Sequence, residues 1–500
     1  MSRIDNPVII TIFKHLVYDI TQLFSDPPSC LIIYRILPEI SKNLILKVIN
    51  TTKNGRVELN EIKNLDIFIN TNQNVSPYIN GLIQMKILQK LRGEDNSYVQ
   101  FNEVFISTMK KILSEGIVNE NKIVFHRKPK GYENYLERGI NRLYKFINEK
   151  IFDQIHKSKS DNYINNFLTK KNFFHIEGDK YQIGSTSISL FLLSTEDMIK
   201  HLFHLYLSFC YEKNNENEKK LKFSKFLFYL TTIEPGSGMT EFPKQYYDPS
   251  FEEHLNFMNQ TGFLIVREDE KVKKYTCTPL IQCLFENNNL TRNYSLIKYG
   301  DENADRFLFV ETNMKFYAYI PYIKKNTKTL NLQEFSSSSS IREEKDGKKQ
   351  DQKTIFNMNL LKTLFKIEMI LPNMLIGYIT RECLKKIFKD AKSDSILQFL
   401  SDHISLKSDD VTEVNGKKYL INESVVNQIL ILEREKNSIK LIKPVSCYFD
   451  FYEKSQYETY VKKMKEKQID YIYAKNGIIV FYDTPENRRR MNIVENELNN

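Results

Sequence analysis

Tryptophan is absent from this 500-residue chain, and glycine (16), proline (14) and cysteine (6) are all sparse. So few turn formers argue against a turn-rich all-β architecture and favour helices. The missing tryptophan, together with the many Asn, Lys and Ile residues, is a pattern that codon bias can produce, and no function is drawn from it. Cys30, Cys210, Cys277, Cys283, Cys383 and Cys447 lie far apart, with no Cys-x-x-Cys among them. Most have apolar neighbours, which reads as reduced, buried thiols of a cytosolic or nuclear protein. No run of about 18 apolar residues occurs, so nothing is expected to cross a membrane. The first residues lack a charged segment followed by a cleavable apolar core. A soluble intracellular protein is expected.

The usual catalytic signatures are missing too. Gly236-Ser237-Gly238 has no following Lys-Ser/Thr and reads as a plain loop, not a phosphate cradle. His201 and His204 sit three apart on an apolar helix, but Cys210 alone does not complete a zinc tetrahedron. Cys277 and Cys283 have a poor zinc spacing, no serine occupies a nucleophile elbow, and no His-Glu-x-x-His occurs. No catalytic residue, metal or cofactor is therefore expected, and a nucleotide-processing enzyme is disfavoured.

What the chain does have is apolar material, 41% of its residues, with 29 Tyr and 33 Phe. That is enough for real cores, and 500 residues are too many for one, so about three to five modules are expected. The net charge of +10 comes from 72 basic and 62 acidic residues in mixed order. Such interleaving reads as an ordinary solvated surface, with contact to double-stranded DNA at most weak or indirect.

Ile9, Ile12, Phe13, Leu16, Ile20, Leu23 and Phe24 recur at helical spacing and predict one amphipathic helix stopped by Asp26-Pro27-Pro28. Ser29 can cap the next helix, through Leu31, Tyr34 and Leu37. A pattern of helix, β-rich run, polar turn and second β-rich run then returns three times. It occurs at Leu82–Leu91 with Tyr98–Phe101, at Tyr163–Leu168 with Phe173–Ile183, and at Phe251–Met258 with Gly262–Cys277. This is the order of a winged helix. Groove reading would need Arg, Lys, Asn or Gln on the second helix. Asn162, Asn165, Asn166 and Lys170 offer that in one unit, whereas another offers Glu252, Glu253 and His254, which would repel phosphate. Protein docking is the preferred use; a sequence-specific winged-helix regulator is the alternative.

Farther on, Phe307–Val310 and Phe316–Ile320 read as paired strands, and Ser336–Ser340 with the charged run after it as a flexible insertion. Leu360, Leu361, Leu364, Phe365, Ile367 and Ile370 read as a helix ended by Pro372, followed by helices opening at Thr380 and around Ile396. In the tail, a strand Ile439–Ile442 and a helix Tyr457–Lys465 precede two strands flanking Asn476-Gly477, the strongest short hairpin signal. With one helix to cover it, such a sheet should complete itself against a partner.

The expected class is mainly α with small β-hairpins (α+β). The expected modules are 8–130 (helical, winged-helix), 131–212 and 215–300 (winged-helix-like), 301–410 with an insertion at 333–353, a connecting helix 411–436, and an α+β tail 437–485.

Three stretches resemble one family. Asp26-Pro27-Pro28-Ser29-Cys30-Leu31 running to Tyr34-Arg35-Ile36-Leu37-Pro38 is similar to its Pro-x-x-Cys-Leu and Phe/Tyr-Arg-x-Leu-Pro. Phe309-Val310-Glu311-Thr312-Asn313 with Tyr317-Ala318-Tyr319 resembles its Val-Glu-Thr-Asn strand pair. Leu371-Pro372-Asn373-Met374, Ile379-Thr380-Arg381-Glu382 and Ile396-Leu397-Gln398-Phe399-Leu400 resemble its Phe-Pro-Asn-Met, Val-Thr-Arg-Glu and Ile-Ile-x-Phe-Leu run. The family is the fourth core subunit of general transcription factor IIH (TFIIH), the partner of the XPB translocase. The Ser-rich insertion is unusual for it, and residues 40–130 match weakly.

The resemblance implies a nuclear, non-enzymatic scaffold in transcription initiation and nucleotide excision repair. It implies an N-terminal array joined to other TFIIH core subunits and a 301–410 module clasping and stimulating XPB. It also implies a tail paired with the smallest TFIIH subunit. On that reading Arg306, Phe309, Glu311, Tyr317, Tyr319, Arg381 and Glu382 would contact XPB. Ile439, Leu441, Tyr471, Tyr473, Ile479 and Phe481 would contact the small subunit.

Overall fold

The computed structural model describes residues 6–16, 20–51, 55–58, 76–90, 98–116, 132–154, 163–177, 180–213, 216–269, 272–285, 306–319, 352–405, 411–438, 445–448, 454–469, 471–475, 478–482 and 484–499. These form helices interspersed with small antiparallel sheets, the expected α+β class. Two compact units emerge, residues 1–430 and 431–500.

In the larger unit, helix Pro7–His15 is capped by Asn6, whose side chain accepts from the Val8 and Ile9 amides. The next long helix, Pro27–Ile36, begins earlier than expected. Its cap is Asp26 rather than Ser29, with Asp26 Oδ2 accepting from the Ser29 amide at 3.0 Å. Both prolines occupy the first turn, where a missing N–H costs nothing. Asp26 is also reached from far along the chain by the Tyr246 hydroxyl, at 2.9 Å.

The second and third predicted hairpins form. The first needs correction: helix Ser76–Gln84 stops sooner, and Leu88–Lys90 is a strand paired with Tyr98–Phe101. Lys86, at φ 56°, makes the break. Arg56–Glu58 adds a third strand. The second hairpin pairs Phe174–Glu177 with Lys180–Ile183. The third pairs Leu264–Asp269 with Val272–Cys277, and Gly238–Met239 joins its edge, which is what the Gly-Ser-Gly segment leads into. These units share contacts rather than standing apart. Helix Pro7–His15 packs on Thr195–Lys213, and Tyr132–Lys150 packs on Gln352–Leu364. Gly262, at φ 82°, is pressed against helix Tyr132–Lys150: an added Cβ would lie 2.2 Å from the Gly139 carbonyl oxygen.

The 301–410 region holds a four-stranded antiparallel sheet in the order Lys366–Leu371, Met374–Tyr378, Lys315–Tyr319, Leu308–Val310. The helix expected to run to Pro372 ends at Leu364 instead. Ile367 and Ile370 lie in a strand, and Pro372-Asn373 is the turn joining it to the next. Proline stops a helix and starts a turn equally well, and β-branched Ile favours the strand. Helix Arg381–Ile387 opens as expected, with Thr380 Oγ1 accepting from the Cys383 amide at 3.3 Å. Ser393–His403 follows it.

The connecting segment is not helical from 411. A hairpin, Thr412–Val414 with Lys417–Tyr419, precedes helix Glu423–Ser438. Asn415 and Gly416 turn it, both at positive φ (52° and 78°), as a type I′ turn requires.

The smaller unit has a three-stranded sheet in the order Val445–Tyr448, Ile478–Tyr482, Tyr471–Lys475. The expected strand Ile439–Ile442 lies outside the described residues. Two helices pack on the sheet, Lys454–Glu466 and a second, Pro485–Asn499, that the sequence reading did not contain. Their core joins Met464, Ile469, Ile479, Phe481, Met491 and Val494.

Candidate interaction surfaces

This four-stranded sheet buries one face and opens the other. Leu308, Phe316, Ala318 and Leu375 point inward, and the Phe316 ring sits 5.5 Å from that of Phe365. Gly377 is required opposite Phe316, because a Cβ there would come 2.8 Å from that ring. Period-two alternation sends the intervening residues outward. Cross-strand register sets Phe309 opposite Tyr317, Tyr317 opposite Ile376, and Ile376 opposite Met369. One row of apolar and aromatic side chains thus crosses all four strands. Tyr319, Met374 and Leu371 form a second row.

Phe309 is 43% exposed, Tyr319 61% and Met369 50%. A bare patch of this kind on a sheet face is the usual mark of an interaction site. Lys315 closes one end of the face. Its ammonium lies 5.3 Å from the Tyr378 ring centre and 3.3 Å from the Glu368 carboxylate.

The seven residues assigned to a clasp fall into three places. Phe309, Tyr317 and Tyr319 share the open face and are not core. Glu311, Arg381 and Glu382 gather at one end, where the Ile379 amide donates to the Met314 carbonyl at 2.9 Å. There Asn313 braces the turn, donating to Glu311 at 2.9 Å and accepting from the Lys315 amide at 2.8 Å. Partial desolvation and the Glu311 carboxylate raise the Tyr317 phenol. Arg306 lies near the opposite end, its guanidinium 3.5 Å from the Ile404 carbonyl oxygen. The sequence reading missed Ile376, Met374 and Met369, which it had no strand to place beside Tyr317.

In the smaller unit, Ile479 and Phe481 face their own core and are buried. Sequence counted one covering helix where there are two, so these side chains are already satisfied. Tyr471 lies on an edge strand and Tyr473 beside it, while Ile439 and Leu441 lie outside the described residues. Both outer strands of this sheet, Val445–Tyr448 and Tyr471–Lys475, have one unpaired backbone edge among the described residues.

The groove-reading constellation does not assemble fully. Asn165 is buried, while Asn166 and Lys170 stay accessible and Asn162 lies outside the described residues. Glu252 and Glu253 remain on the surface, with Glu252 paired to Lys273 at 2.8 Å. Cys30, Cys210, Cys277 and Cys283 are buried and in no disulfide; Cys383 is half-buried. Among the described residues, no three His, Cys, Asp or Glu side chains could jointly hold a metal, and no helix is long and apolar enough to cross a membrane.

The family model for transcription factor Tfb2 matches residues 16–405. General transcription factor IIH subunit 4 of Dictyostelium discoideum is 24% identical over 494 residues, covering 91% of each chain. The family match contains all three motif stretches from which the resemblance was read. This chain belongs to the Tfb2 transcription-factor family.

Proposed function

We propose that the chain acts as the fourth core subunit of TFIIH, a non-enzymatic nuclear scaffold for transcription initiation and nucleotide excision repair. The near full-length likeness to a subunit so named supports membership in that complex. In this reading the chain anchors and stimulates an XPB-type translocase, and the other core subunits dock on the remaining surface of the larger unit.

The observation that carries the anchoring role is the outward row Phe309, Tyr317, Ile376 and Met369, flanked by Tyr319. Aromatic side chains in a desolvated centre supply most of an interface's binding energy, and charges at its rim set register. Glu311, Arg381 and Glu382 stand where such a rim would be. The smallest subunit is proposed to add to the tail sheet through an open strand edge, by backbone pairing, rather than through Ile479 and Phe481.

Affinity of the full chain for the translocase tests the first part. Phe309→Ala and Tyr319→Ala are each expected to cost about 2 kcal/mol, roughly thirtyfold in Kd, with unchanged circular dichroism. Wild-type affinity in the double variant would remove the assignment of this face.

A further inference from the structure

Another feature lies away from the sheet face, between helices Thr195–Lys213, Asn217–Thr232 and Glu252–Gln260. A recess of about 110 Å³ opens there, and its walls include Tyr163, Cys210, Phe223 and His254. One liquid water occupies about 30 Å³, so the space suits a group of a few non-hydrogen atoms.

His254 forms its floor. The side chain is only 7% exposed, yet it sits among aromatic rings in place of an apolar residue. Its Nδ1 is taken, 2.8 Å from the Tyr206 hydroxyl and 3.8 Å from the Cys210 sulfur. In the tautomer in which the phenol donates to Nδ1, the ring proton sits on Nε2. That nitrogen has no hydrogen-bond partner among the described residues and is not among their fully enclosed orphan atoms. In that tautomer the ring presents a donor to the recess it lines, from a position nine-tenths buried.

The rim is cationic. Lys213, Lys219 and Lys220 line it against a single carboxylate, Glu253. Lys213 is held over the Tyr163 ring, 4.7 Å from its centre. Lys219 also meets Glu216, at 3.0 Å, on an exposed surface where such a pair is weak and exchangeable. Donors without matching acceptors, in a concave and partly desolvated place, select a compact anion of more than one charge.

We propose that this recess binds a phosphate monoester, carried by a phosphorylated side chain of a partner protein. Lys213, Lys219 and Lys220 would neutralise it from the rim, and His254 Nε2–H would donate from the floor. A monoester brings about −1.5 to −2 charges at pH 7 on three terminal oxygens. A duplex phosphodiester brings one, flanked by sugars that the recess has no room to admit. The proposal is independent of the sheet-face reading, since it uses other residues and no translocase.

Calorimetric titration of the full chain with O-phosphoserine, with serine in parallel at fixed ionic strength, tests it. Saturable one-site binding of O-phosphoserine and none of serine is expected. Lys213→Met with Lys219→Met, both exposed side chains, should weaken binding at least about tenfold, the effect of losing charge-assisted contacts. His254→Gln should weaken it as well, with circular dichroism reporting that the fold persists. No saturable heat, or equal affinity in wild type and the lysine variant, would overturn the site. Displacement of O-phosphoserine by a short duplex DNA, lost in the lysine variant, would overturn the choice of a side-chain phosphate. Inorganic phosphate binding as tightly as a phosphoserine peptide would do the same.

Discussion

His254 lies among Tyr163, Tyr206, Phe223 and Phe251, and burial together with Lys213 holds its imidazole down at about 4. An unfolded imidazole takes its proton near 6.5, so the unfolded chain binds more protons between those values. Its contribution to stability is therefore complete above about pH 6.5 and drains away as pH falls toward 4, by about 3 kcal/mol at most. Urea unfolding followed across that range should show the loss in wild type and a flatter profile in His254→Gln. Parallel profiles for the two would refute the assignment. His201 and His204 were legible as positions on an apolar helix, where both side chains are half-buried. At His254 the neighbouring Glu252 and Glu253 drew the reading toward the surface instead. The Tyr206 ring, stacked on Phe257 at 3.6 Å, and the burial of Leu255, Phe257 and Met258 mark that side of the helix as the inside.

Elements dock here by very close backbone approach. Gly262 lets the turn before strand Leu264–Asp269 meet helix Tyr132–Lys150, and it does so at φ 82°. Gly262→Ala adds a left-handed penalty to a clash with the Gly139 carbonyl, together about 3 kcal/mol. Gly139→Ala, whose Cβ would meet its neighbours at 3.1 Å without adverse φ, should cost about 1 kcal/mol. Urea midpoints measure both, and equal effects would mean that this contact relaxes freely. Elements were legible wherever one signal had one meaning: the hairpins at 174–183 and 264–277 followed from alternation around polar turns. Pro372 carried two meanings and was read as a helix stop, which hid two strands of the four-stranded sheet. Helix Pro485–Asn499 escaped because only Met491, Ile493, Val494 and Leu498 interrupt a charged sequence. Phe309 and Tyr319 could be named from sequence, but their exposure depended on those hidden strands.

The whole molecule has two compact units of unequal size, and the smaller has its own core of six buried side chains. Phe481→Ala should cost that core about 3–5 kcal/mol. Hydrogen exchange is expected to quicken through helices Lys454–Glu466 and Pro485–Asn499 while the larger unit keeps its protection. Equal loss of protection throughout would make the chain one cooperative body.

The four-stranded sheet brings Lys315–Tyr319 beside Met374–Tyr378, strands that the Ser336–Ser340 tract separates along the chain. Bringing such ends together costs entropy that grows only logarithmically, about 0.6 kcal/mol for each doubling of the intervening length. Lengthening or trimming the tract over evolutionary time is thus nearly neutral for the strand register.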